Sequence, residues 1–223
     1  MLLLAVDTSG KQGSIALARC GPDDICEVME VAALAGGTFS AELVPQIGAL
    51  LDRHGFSKGD IAAFAVVSGP GSFTGLRIGL AVVKALAEVL AKPIAAVSLL
   101  EALAGRSHSK GRVLVALDAG RNEVFLGEYE VARAGARVIR ERLVTRDQWL
   151  ESAADVVIVT PYKSLAEAAR EKRLRVVEID RPQSDVIAQL GWKKIVSGET
   201  VSPEALEASY VGRSEAELFV KGN

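Results

Sequence analysis

A chain of 223 residues, 49% hydrophobic and 24% charged, carries enough apolar material for one large core or two small ones and has the balance of a globular protein. Its net charge is −2, split as 7 Lys/Arg against 10 Asp/Glu in residues 1–105 and 19 against 18 in residues 106–223, which argues against a basic nucleic-acid platform by composition. Met1–Asp7 has no basic leader, and the longest apolar tract, Leu76–Ala91, is broken by Arg77, Lys84 and Glu88, so neither a signal segment nor a bilayer span is expected and the expected location is the cytoplasm.

In chain order, Leu2–Val6 is short and apolar and predicts a buried strand. Gly13–Arg19 follows a polar turn, and Ile25–Ala33 supplies a third strand. Cys20 and Cys26, with neither redox nor zinc spacing, are expected to be structural and unpaired. Leu43, Ile47, Leu50 and Leu51 recur at helical spacing in a segment that stops near His54, with Gly55 as a left-handed cap. Ala62–Val67 fits a central strand, Gly69–Thr74 a loop, and a long helix runs to about Ala91, before Pro93 and a strand at Ile94–Val97. Ser98 and Glu101 have the spacing of a capping box at the start of one more helix.

The second half restarts in the same order. Val113–Leu117 is a strand, Asp118–Asn122 a turn, and Glu123–Glu130 and Arg137–Leu143 are two further strands. Thr145 caps a helix across Trp149, and strands at Val156–Val159 and Arg175–Ile179 alternate with helices at Lys163–Lys172 and Ser184–Ile195. Three meandering strands followed by crossovers, twice, predict an α/β duplication with two mixed sheets flanked by helices. The expected lobes are residues 1–105 and 106–223, with the last helix packing back on the first lobe.

Each half opens with an apolar strand ending on a carboxylate, Asp7 before Thr8 and Ser9, and Asp118 before Arg121 and Glu123. An Asp there is ordinarily a turn former. A matched pair in a duplicated fold instead points to a nucleotide cleft, as in actin-like ATPases, with Asp7, Thr8, Ser9, Asp118, Arg121 and Glu123 as candidates. The stretch Gly69-Pro-Gly-Ser-Phe-Thr-Gly75 lies between strand and helix like a phosphate loop, but lacks the Lys of a P-loop and the spacing of a dinucleotide fingerprint. Its glycines serve equally well for close strand–helix packing.

Across Leu76–Ala91, twelve of sixteen residues are apolar, a wider arc than one sheet face absorbs. The surplus predicts a second contact surface, with Phe73, Leu76, Leu80, Val82, Val83 and Leu86 from this helix and Leu43, Ile47 and Leu51 from the one before it.

These segments resemble the TsaB (YeaZ) family over nearly the whole chain. The residues that carry the likeness are Leu4–Ser9, Leu43-Val-Pro45, Gly69–Gly79, Leu117–Phe125 and Ala208–Arg213. The resemblance implies a duplicated actin-like ATPase fold of the ribonuclease H-like (ASKHA) type. It also implies a subunit without independent catalysis in the synthesis of threonylcarbamoyladenosine at position 37 of tRNA. The partners implied are a TsaD-type catalytic subunit, a TsaE-type ATPase and, in their absence, a second copy of the chain; tRNA is expected to be gripped by another subunit. ATP and magnesium belong to the complex, and no cofactor is required by this chain alone. Many members have a His where this chain has Thr38 or Phe39, and Thr38–Glu42 holds none; with only His54 and His108 in the chain, no metal site is expected. The alternative class is a small-molecule kinase or ATPase on the same fold, with Asp7 or Asp118 as the working carboxylate.

Overall fold

The computed structural model describes residues 1–22, 25–133, 135–153, 156–209 and 211. The first half runs β1 (Leu2–Asp7), β2 (Gly13–Cys20), β3 (Cys26–Leu34), α1 (Phe39–Arg53), β4 (Ile61–Gly69), α2 (Phe73–Leu90), β5 (Ile94–Ser98) and α3 (Leu99–Arg106). The second runs β6 (Gly111–Gly120), β7 (Glu123–Ala132), β8 (Gly135–Thr145), α4 (Arg146–Ser152), β9 (Val157–Thr160), α5 (Lys163–Glu171), β10 (Val176–Glu178) and α6 (Ser184–Val196). The two sheets have the same plan, β3-β2-β1-β4-β5 and β8-β7-β6-β9-β10. In each, the first three strands are antiparallel and the last two join in parallel.

The central strands explain their own composition. β1 is buried along its whole length, and only Ala62 of β4 is not fully buried, so both read as near-continuous apolar runs without alternation. Gly13 faces the Phe39 ring of α1, whereas its neighbour Ser14 bonds to Ser184 of α6. Successive strand residues point to opposite faces, so α1 and α6 cover opposite sides of the first sheet.

The chain groups into two compact units. Met1–Leu99 joins Pro182–Ser209, while Leu100–Arg181 forms the core of the other unit. The reason is α6, an element of the second half that lies across the first sheet. Ser184 donates its N–H to Ser14 Oγ (2.9 Å) and its hydroxyl to Ser14 O (2.7 Å), with both side chains buried. Further along, Trp192 Nε1 donates to Gly21 O (3.0 Å), and Gly191 lets the helix backbone approach Ala65 and Ala95.

Two local expectations change. Antiparallel pairing sets Cys20 directly opposite Cys26, with Cα atoms 4.1 Å apart, and the two sulfurs are bonded rather than free. β6 extends through Asp118 to Gly120, leaving a two-residue turn in which Arg121 and Asn122 have φ of 51° and 64°. Two successive positive φ values match the twist of the flanking strands. Tyr210 and Arg213 of the late motif lie outside the described residues. No described helix is long and apolar enough to cross a membrane.

The end of α1 is tied to β3 through one carboxylate. Glu30 accepts from Arg53 (2.6 Å) and from His54 Nε2 (2.8 Å), and these bonds, Arg53 first, hold its carboxyl below the ordinary glutamate range. A lowered folded-state pKa stabilises fully above the unfolded value, and that contribution is lost as pH falls through the folded one. Urea unfolding across mildly to strongly acidic pH should therefore show a wild-type stability loss that is shallower in Glu30→Gln, with the two curves parallel near neutrality.

Candidate functional site

The turn after β1 and the first turn of α2 are built as one piece. Asp7 Oδ1 accepts from the Ser9 N–H (2.8 Å) and from the Ser9 hydroxyl, closing the turn on itself. The Thr8 hydroxyl donates to Gly75 O (2.7 Å), and the Ser72 N–H donates to Ser9 O (2.7 Å). Ser72 then caps α2, its Oγ accepting from the Gly75 N–H (3.3 Å). A Cβ on Gly71 would overlap Ser9 O, one on Gly75 would overlap Thr8 O, and one on Gly79 would overlap Thr8 Oγ1. The glycines of the loop thus make a seam along which helix and strand end touch directly. At the loop's start, Gly69 has φ +146° and lies against the Ser209 carbonyl, while the Ser209 N–H donates to Ser68 O (2.8 Å). Two motifs about 140 residues apart in the chain meet there.

This geometry changes the reading of the first cleft candidates. Asp7, Thr8 and Ser9 are each only 2% exposed, with Asp7 Oδ1 bonded to Ser9 and the Thr8 hydroxyl bonded to α2. In the other unit, Asp118, Arg121 and Glu123 come together around one hairpin. Asp118 Oδ1 accepts from the Gly120 N–H (2.8 Å), its other oxygen lies 3.8 Å from the Arg146 guanidinium, Arg121 is exposed at the tip, and Glu123 is half-buried.

A cleft of about 300 Å³ opens beside the seam, lined by Lys11, Gly37, Phe39, Ser72, Thr74 and Ile78 among others. Phe39 is buried with its ring against Gly13. Among the described residues, no group of three or more His, Cys, Asp or Glu is gathered to hold a metal ion.

The partner-surface candidates separate by helix face. Leu43, Ile47, Leu51, Leu76, Leu80 and Val83 are at most 5% exposed, because the largest aliphatic residues at helical spacing are the ones the chain's own sheet takes up. They are core, not contact surface. Val82 and Leu86 are half-buried, and Phe73 is 53% exposed with the Arg77 guanidinium 3.9 Å above its ring. The outward faces instead carry residues the sequence reading passed over: Val44, Pro45 and Gly48 on α1, and Ala81, Ala85 and Val89 on α2. Their signal was the wheel position opposite the buried stripe Leu76, Leu80, Val83 and Ala87.

The comparisons agree with this architecture. The model of the family described as TsaD, tRNA N6-adenosine threonylcarbamoyltransferase, matches residues 31–200. The tRNA threonylcarbamoyladenosine biosynthesis protein TsaB of Escherichia coli is 28% identical over 97% of this chain and 96% of its own length. The protein of the same description from Haemophilus influenzae is 30% identical over 79% of this chain and 71% of its own. The chain belongs to the TsaB family. The solved structure of YeaZ from Pseudomonas aeruginosa superposes with a TM-score of 0.74 at 28% identity, covering 93% of this chain and 99% of that one. The two compact α/β units described above are therefore the actin-like fold of TsaB/YeaZ proteins.

The seam makes a sharp stability prediction. Gly75→Ala forces a methyl into the Thr8 backbone carbonyl and should destabilise by about 3 kcal/mol or more, at the upper end of overpacking costs. Gly48→Ala, in open space on α1, should stabilise by about 0.5–1 kcal/mol. Urea unfolding of the pair checks both signs.

Proposed function

We propose that the chain is a non-catalytic subunit required for threonylcarbamoyl transfer to adenosine 37 of tRNA, acting by binding and activating a TsaD-type catalytic subunit. The observation that carries this reading is the outward face of α1 and α2, where small and apolar residues remain exposed after the first sheet has been covered. Phe73, Val44 and Val89, at 53%, 57% and 78% exposure, offer large apolar surface, and Phe73 is held under Arg77. An aromatic stacked with an arginine is the kind of anchor that dominates interface energetics. Ala81, Ala85 and Gly48 between them let another helix approach closely.

Alone, the chain dimerises through this face; with its catalytic partner present, the same residues form the heterodimer and a TsaE-type ATPase joins the pair. ATP and magnesium act in the complex. Enclosure of Asp7 supports a non-catalytic role, since a kinase on this scaffold would need that carboxylate open to metal or substrate.

Val82→Glu or Ala85→Glu places a charge on the outward face of α2 and should weaken homodimer and heterodimer at least tenfold by analytical ultracentrifugation. Circular dichroism should stay unchanged, and tRNA modification in the reconstituted system should fall in step with assembly. Normal assembly and full modification by both variants would remove the basis for the reading. In a separate assay, the isolated chain given ATP, magnesium and candidate small-molecule acceptors should show no steady phosphoryl transfer; sustained turnover abolished by Asp7→Asn would favour a kinase instead.

A further inference from the structure

The chain as a whole is not basic, yet one strand is. Residues 131–146 hold five arginines and no lysine against a single carboxylate, Glu141. Arg133, Arg137 and Arg140 are exposed and Arg142 is half-buried, on or beside β8, which forms the outer edge of the second sheet. The register of β8 on β7 is what turns this run into a surface. Arg142 sits opposite Leu126, Arg140 opposite Glu128 and Arg137 opposite Glu130, with the pairing shifting between Glu128 and Tyr129 so that Ile139 is skipped. Leu126, Glu128 and Glu130 alternate along one strand, so they share a face. Without the irregularity, Arg137 and Arg140, three residues apart, would point to opposite faces. The bulge therefore gathers Arg137, Arg140 and Arg142 on one side of the sheet, as bulges do when they re-aim a side chain.

The neighbouring carboxylates offset that row only in part. Glu128 is ion-paired with Arg112 on the far side of β7, and Glu141 accepts the Tyr129 hydroxyl. Glu130 faces Arg137 in register, but among the described residues Arg133, Arg137, Arg140 and Arg142 make no ion pair. Charged residues on an edge strand also deter sheet-to-sheet aggregation, and Lys or Glu would do that equally well. Arginine, in a single-sign row on an edge strand, matches phosphate oxygens through its planar two-pronged donor group.

We propose that the arginine face of β8 is a contact for the phosphate backbone of the tRNA on which the assembled complex acts. The inference rests on the function proposed above and goes beyond it, giving this subunit its own grip on nucleic acid. The contact is to phosphate, so it adds affinity and orientation without reading sequence.

The test uses the chain assembled with its TsaD-type partner, labelled tRNA, and anisotropy titrations over a range of salt concentrations. Arg137→Glu, Arg140→Glu and Arg142→Glu together keep the edge charged while repelling phosphate. This triple variant should lose tRNA affinity about tenfold or more near 0.1 M salt, with the salt slope reduced by roughly one for each lost contact. The triple Lys variant should fall between wild type and the triple Glu variant, keeping the charge but not the two-pronged contact, and sizing should show normal assembly for both. Wild-type affinity and salt slope in the triple Glu variant would overturn the proposal, while a wild-type complex that still modifies tRNA would leave the proposed function standing. Loss of assembly with the partner at unchanged tRNA affinity would equally overturn it, marking the face as a site for an acidic protein surface. A wild-type complex that neither assembles nor modifies tRNA would instead bring down the proposed function, and this inference with it.

Discussion

Gly75 and Gly79 are one helical turn apart, and both lie against Thr8 with no room for a methyl group. That contact locks the first turn of α2 to the end of β1, the strand between β2 and β4 in its sheet. With the helix held there, the stripe Leu76, Leu80, Val83 and Ala87 must face the sheet, and the surface formed by Ala81, Ala85 and Val89 must face away. In the same turn Asp7 is 2% exposed and bonded to Ser9. A loop that looks made for phosphate has been filled with the protein's own backbone, and what the fold gains is a rigidly oriented helix face.

The two copies of the plan have diverged around this point. Both sheets keep one strand order, and in each the first strand ends near an Asp whose Oδ1 accepts from the N–H two residues on. In the second copy, however, β6 runs into a two-residue hairpin, and the helix equivalent to α2 is α5, 9 residues against 18. α5 has an alternation of Lys, Glu and Arg with Ala that suits a solvated helix over a small core, centred on Trp149 and Leu165. The longer, more apolar helix and its glycine seam belong to the first copy alone, and the association surface proposed above lies on that copy.

Most of the element order was legible from period and punctuation. Pro93, Gly55 and Thr145 mark ends that the structure keeps to within a residue or two, and the restart at Val113 revealed the repeat. The faces were harder to read. Leu43, Ile47, Leu76 and Val83 stand out in the sequence as strongly apolar, a property that burial in the parent core selects for as much as association does. Hydrophobicity alone cannot separate the two uses; position on the helical wheel relative to the sheet can. The disulfide and the arginine row were hidden for a related reason. Both depend on which residues antiparallel pairing sets opposite one another, and a single skipped residue at Ile139 decides the second.

The return of α6 to the first sheet has a consequence for how the polypeptide is made. The unit containing the N-terminus lacks one of its covering layers until Pro182–Ser209 has been synthesised, after the whole of Leu100–Arg181. At translation rates of about 5–20 residues per second, the apolar underside of β1, β4 and β5 waits several seconds for its cover. During that interval the first sheet is open on one side, and that is when a chaperone or an early-bound partner would matter most.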